Sequence, residues 1–203
     1  MFGWLMGRSL RRRTGQQLYE RIVAQAREPA LYERCGVPDT MDGRLEMVLL
    51  HTVLVLDRLQ TEGPAAQRLG QHLMERLVEG VDDALRRIGL GDDSVAPRIK
   101  RLAGALAERA RDYRSALGQA GSASTRENHG ADAALAAAFL EHVLAPGAAA
   151  PTSEQQAAAE RLSAYTLRAR ASLAALPGQD LLSGALTFPP VADSEAGIWE
   201  PRA

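Results

Sequence analysis

The sequence predicts an all-α protein, a single helical domain of about six helices with a flexible crossover and an irregular C-terminal tail. Three observations carry that prediction. Apolar residues make up 46% of the 203-residue chain while aromatics make up only 4%, a composition suited to Leu, Val and Ala packed between helices rather than to a strand-built sandwich. Apolar side chains recur at three-and-four spacing through long stretches, the mark of helices with one buried face. Glycine and proline signals close most of these stretches, at Pro29, Gly63-Pro64, Gly89 to Gly91, Pro146 and Pro177-Gly178.

The helical domain is expected over residues 14–176, preceded by a candidate membrane-contact tip over 1–13 and followed by a tail over 177–203. In the tip, Phe2, Trp4, Leu5, Met6 and Leu10 are followed by Arg11, Arg12 and Arg13. An apolar end with a basic collar suits an anionic lipid surface, and equally a terminus that frays or docks on its own core. Thr14 is the expected cap of a first helix to Arg27, with Leu18, Tyr19, Ile22, Val23 and Ala26 on its inner face. Leu31 and Tyr32 then fall in a short connector.

Val37-Pro38 is extended or turn-forming, because the proline ring moves the preceding residue out of the helical region. A second helix therefore starts after it, where Asp39, Thr40 and Asp42 can each accept bonds from free backbone N–H groups. It runs from Asp42 to Glu62 with Leu45, Val48, Leu49, Thr52, Val53, Leu56 and Leu59 as a single stripe. A third helix follows Gly63-Pro64 and runs to Gly89, and the short connection predicts an antiparallel pair. Leu49, Val53 and Leu56 should meet Leu77, Val81 and Leu85. On this third helix Asp82 and Arg86 are four apart and share a face, a spacing that on an exposed surface is worth only about 0.3 to 0.5 kcal/mol. Pro97 fits the first turn of a fourth helix reaching Leu117. Residues 118–130 read as the crossover, a fifth helix spans 131–144, and Ser153 caps a sixth reaching Leu176. Phe188-Pro189-Pro190 and Trp199 belong to a tail without period that can lie in a groove on the bundle.

Composition also removes function classes. The formal net charge is -1 and Lys100 is the one lysine, so there is no bulk basic field for nucleic acid and no DNA partner is expected. Cys35 is the only cysteine, which excludes an internal disulfide and a cysteine cluster for zinc. His51, His72, His129 and His142 lack the spacing of a helical zinc pair, and the acidic residues from Asp39 to Glu46 lack the order of a calcium loop. No phosphate loop or nucleophile elbow occurs. The expectation is no catalytic, cofactor or metal site. Asp39, Arg44 and His51 are the one set of polar residues near a helix start that would suit acid–base chemistry. The alternative is that Arg44 neutralises an acidic turn and His51 is a satisfied histidine in core or groove.

Two stretches carry a family resemblance. Gly36-Val37-Pro38-Asp39-Thr40-Met41-Asp42-Gly43-Arg44 followed by Leu50-His51, and then Asp82-Asp83-Ala84-Leu85-Arg86-Arg87-Ile88-Gly89-Leu90-Gly91-Asp92, resemble the ubiquinol-cytochrome c chaperone family over about Leu18 to Leu117. The resemblance implies an all-α, non-enzymatic assembly factor that binds newly made cytochrome b and assists its entry into the respiratory cytochrome bc complex. Its implied partners are cytochrome b as client, then an assembly co-factor or the ribosome. The residues matched to the two motifs, Asp39, Asp42, Arg44, His51, Asp82 and Arg86, become the candidate partner-binding set. A small all-α enzyme with a site near Asp39, Arg44 and His51, or a structural adaptor, are the competing readings. No stretch approaches the roughly 20 apolar residues that cross a bilayer, and the N-terminus has the reverse order of a secretory signal. The expected place is the cytoplasm, with peripheral contact on the cytoplasmic face of the inner membrane as the further expectation.

Overall fold

The structure, a computed structural model, describes residues 2–87, 92–119 and 128–191. Among these the elements are all helical, with no strand: α1 (Phe2–Ala26), α2 (Pro29–Glu33), α3 (Met41–Gln60), α4 (Pro64–Arg87), α5 (Asp92–Gln119), α6 (Asn128–Phe139, continued by a π-helical turn over Leu140–Leu144), α7 (Ser153–Ala175) and α8 (Gly178–Ser183).

α3 is the central helix. Every residue from Leu49 to Val55 is buried, because α1, α4, α5 and α7 all pack against it. A helix enclosed on all sides is buried all round, so the single stripe expected for this segment describes only part of it. Leu49, Val53 and Leu77 lie fully in the core, whereas Leu56 and Val81 are half-buried at its edge. The hydroxyls of Thr52, Ser163 and Thr166 donate to the carbonyls four residues back, Val48, Ala159 and Leu162. Those polar groups therefore enter the core already satisfied.

Arginines lock the helices laterally. Arg109 of α5 donates to both carboxylate oxygens of Glu46 on α3, at 3.0 and 2.8 Å, a forked geometry that lysine cannot reproduce. Arg58 near the end of α3 donates to the Leu173 and Leu176 carbonyls at 2.9 and 2.8 Å, supplying partners for groups left open at the end of α7. Arg170 of α7 does the same for the Leu117 carbonyl of α5 at 2.9 Å.

Several boundaries differ from expectation. Thr14 does not cap a helix. It is 3% exposed inside α1, because Leu10 and the arginines before it favour helix and no breaker interrupts them. Thr152 rather than Ser153 caps α7, through a reciprocal box with Gln155. α5 begins at Asp92, which leaves Pro97 inside it. The connector after Pro29 is a short helix with Leu31 fully buried. The tail docks: Leu186 and Val191 are buried, and Arg21 donates to the Leu186 carbonyl at 3.1 Å. The expected turn at residues 88–91, the middle of the crossover at 120–127, and the tail beyond Val191 with Trp199 lie outside the described residues.

Candidate partner-binding site

The turn before α3 is built by short-range geometry. Gly36 has φ +68°, the left-handed region that glycine enters without steric cost. The Thr40 N–H donates to the Pro38 carbonyl at 2.8 Å, and Thr40, extended at φ -117° and ψ 169°, caps α3 by accepting from the Gly43 N–H at 3.1 Å. Of the three residues able to cap, Thr40 does so. Asp39 instead accepts from Arg44 Nε at 2.6 Å, with both side chains more than half exposed. That bond holds the Asp39 carboxyl below its ordinary range. Asp42 stands exposed in the first turn of α3, where its charge suits the helix dipole.

Between them Met41 is 58% exposed. A cavity of about 520 Å³ beside the turn is lined by Arg27, Pro29, Tyr32, Val37, Asp39 and Arg44. Tyr32, one of its lining residues, donates its hydroxyl to the Ala26 carbonyl.

Asp82 and Arg86 form their expected pair at 2.9 Å, with Arg86 51% and Asp82 25% exposed. The hairpin of α3 and α4 brings the start of one and the end of the other to the same end of the bundle. Asp82 and Arg86 therefore lie toward the same end as the turn before α3. Arg27, at the end of α1, acts on the hydroxyls of both Tyr32 and Tyr19, and Asp83 and Arg87 of α4 also act on Tyr19.

His51 belongs elsewhere, and its place corrects its membership of the contact set. It is 0% exposed, so no partner can touch it. Its Nδ1 lies 2.7 Å from the Met47 carbonyl and its Nε2 2.7 Å from the Tyr165 hydroxyl, which also accepts from Gln25 Nε2 at 3.0 Å. One hydrogen pattern satisfies all three: Nδ1–H donates to Met47, and the Tyr165 O–H donates to Nε2. Phe188 of the tail meets the ring edge-on at 4.9 Å. Burial lowers the imidazole pKa to about 4 and raises that of the Tyr165 hydroxyl, so both are neutral near pH 7. His51 thus ties α3 to α1, α7 and the tail. Asp39 and Arg44 pair in solvent, and the three do not form a joint acid–base cluster.

The remaining titratable groups have local explanations. Cys35 is buried and burial pushes its thiol up, the reverse of what a nucleophile needs. His142 pairs with Asp112 at 2.9 Å between α6 and α5. Among the described residues no group of His, Cys, Asp or Glu is gathered to hold a metal ion, and no helix is long and apolar enough to cross a membrane.

Sequence reasoning missed the exposure of Met41 and the Glu46–Arg109 fork. Met41 had a signal, its place outside the three-and-four stripe of α3. The fork had none, since its partners are 63 residues apart.

The described residues form a helical bundle with a mixed-charge turn and an exposed methionine at one end. The chain belongs to the ubiquinol-cytochrome c chaperone family, whose model matches residues 33–188. The crystal structure of the Cbp3 homolog from Brucella abortus is similar at 32% identity, with a TM-score of 0.76 over 94% of this chain and 98% of that one. No curated protein matches. The family places the chain among chaperones of cytochrome bc complex assembly.

Proposed function

We propose that this protein binds newly made cytochrome b and holds it until it enters the respiratory cytochrome bc complex. Family membership supports the assembly step. The observation that carries the client reading is the preformed turn at α3. Asp39, Asp42 and Arg44 offer both charge signs around exposed Met41, with Asp82 and Arg86 at the same end. Such a surface selects a partner by matching charged loops and anchors it through one apolar contact. A multi-span client exposes both charged loops and apolar segments before its own partners arrive.

Deleting the gene should lower membrane cytochrome b spectra, and pull-down from wild-type cells should recover cytochrome b. Normal cytochrome bc levels in the deletion with no cytochrome b in the pull-down would sink the reading. Arg44→Glu should weaken capture about tenfold at low salt while leaving the denaturation midpoint close to that of the native protein, because the pair it breaks is exposed. An unchanged capture would remove the turn from the contact surface.

The same reading puts the protein beside a membrane. The apolar and basic stretch over residues 1–13 is the segment we assign to lipid. Deleting it should leave the bundle folded, with a lower melting temperature because α1 is shortened to the buried Thr14, and abolish sedimentation with anionic vesicles at low salt. Equal sedimentation of both forms would refute that assignment.

A further inference from the structure

We propose that the groove between α3 and α4 docks a short amphipathic helix, apolar on the face turned inward and carrying Lys or Arg at its edge. The groove has a volume of about 790 Å³ and walls formed by Leu56 and Leu59 from α3 and Met74 and Val78 from α4. No segment among the described residues fills it, whereas the tail, with Leu186 and Val191 buried and Phe188 against His51, has its own seat on the bundle.

Shape, wall chemistry and charge select the occupant. Along α4 the lining runs from Gln67 to Glu79, about 18 Å or three turns of helix. The walls are mostly apolar, with Gln60, Gln67 and Gln71 the neutral polar side chains among the lining, so an extended segment would leave most of its N–H and C=O groups unpaired over leucine, valine and methionine. A helix brings those bonds with it. The flexible thioether of Met74 can adjust to different side chains. The charged groups on the rim are Glu75 and Glu79, of one sign. His72 and Arg76 of α4 contact them at 2.9 Å and in an ion pair respectively, yet each carboxylate stays about half exposed, at 56% and 51%. A cationic edge on the docked helix is the complement.

The client class rests on the chaperone reading above, since cytoplasmic flanks of membrane-spanning helices are rich in Lys and Arg. The groove itself can be tested without it. The probes are two fluorescein-labelled helical peptides of about 14 residues, chosen to span the groove, with Leu on one face and either Lys or Glu on the other. Fluorescence anisotropy with the full-length protein should show the Lys peptide binding at least about tenfold more tightly than the Glu peptide. Glu75→Lys combined with Glu79→Lys should reverse that preference, and Met74→Gln should weaken both peptides.

Equal binding of the two peptides, or a preference that the double reversal leaves unchanged, would overturn the proposal. The two glutamates are half exposed, so their reversal remains a test even where Met74→Gln lowers folding. A free-protein dimer that Met74→Gln dissolves would give the groove to a second copy and likewise overturn it. Cytochrome b capture in cells with no peptide preference would remove the groove and leave the function standing. Peptide preference without capture would do the opposite.

Discussion

Replacing Gly43 with alanine is expected to destabilise the protein by about 3 kcal/mol or more and to abolish client capture with it. Gly43 is the third residue of α3 and is buried. A Cβ there would sit 3.1 Å from the Pro38 carbonyl carbon and closer still to its oxygen. That obstacle is backbone, held by the Thr40 N–H bond and the fixed φ of proline, so it cannot swing aside. Relief requires opening the turn, which breaks the Thr40 cap and moves Asp39, Met41 and Arg44 together. In an unobstructed helix the same change stabilises by up to about 1 kcal/mol, because alanine is the better helix former. Gly104 of α5 provides the control, since a Cβ there meets nothing within 4 Å. Urea denaturation should show Gly43→Ala and Gly104→Ala moving the midpoint in opposite directions. Two shifts of the same sign and size would show that the turn is softer than its geometry implies.

Acidification should cost about 3 kcal/mol of stability between neutral pH and pH 4 through His51 alone. Its folded pKa is lowered from 6.5 to about 4 by burial. Above 6.5 the imidazole is neutral in both folded and unfolded chains, and its contribution is complete. As pH falls through the window, the unfolded chain takes up a proton that the folded chain refuses, so the unfolding free energy declines. Protonation would also replace the acceptor at Nε2 with a donor facing the Tyr165 O–H. Asp39, held low by Arg44, adds its smaller effect only below the ordinary carboxylate range. His51→Gln keeps an acceptor for Tyr165 and removes the titration. Denaturant unfolding from pH 7 to 4.5 should therefore show a steep decline for the native protein and a flattened one for the variant. Parallel slopes would mean that His51 titrates normally and is not sealed.

These two residues show how the motif around α3 divides. Gly43, Thr40 and His51 serve the fold, whereas Asp39, Met41, Asp42 and Arg44 face solvent. A motif read as a string does not separate these roles. Position in the helix does, because Thr40 sits at the cap, Gly43 under the Pro38 carbonyl, and His51 on a face covered by α7.

The sequence by itself determined the helical class, the hairpin of α3 and α4, the family and the polar turn. All of these rest on local spacing, on proline and glycine chemistry, or on motifs written contiguously in the chain. Only the tertiary structure decided that α3 lies at the centre, that His51 is sealed beneath Tyr165 and Phe188, and that Arg109 grips Glu46. It also decided that no described segment fills the groove beside Leu56 and Met74, while the tail as far as Val191 packs elsewhere on the bundle. Periodicity reports how many faces of a helix are apolar, but not which helices arrive to cover them. That is set by contacts between residues tens to more than a hundred positions apart, whose pairing leaves no trace in local order.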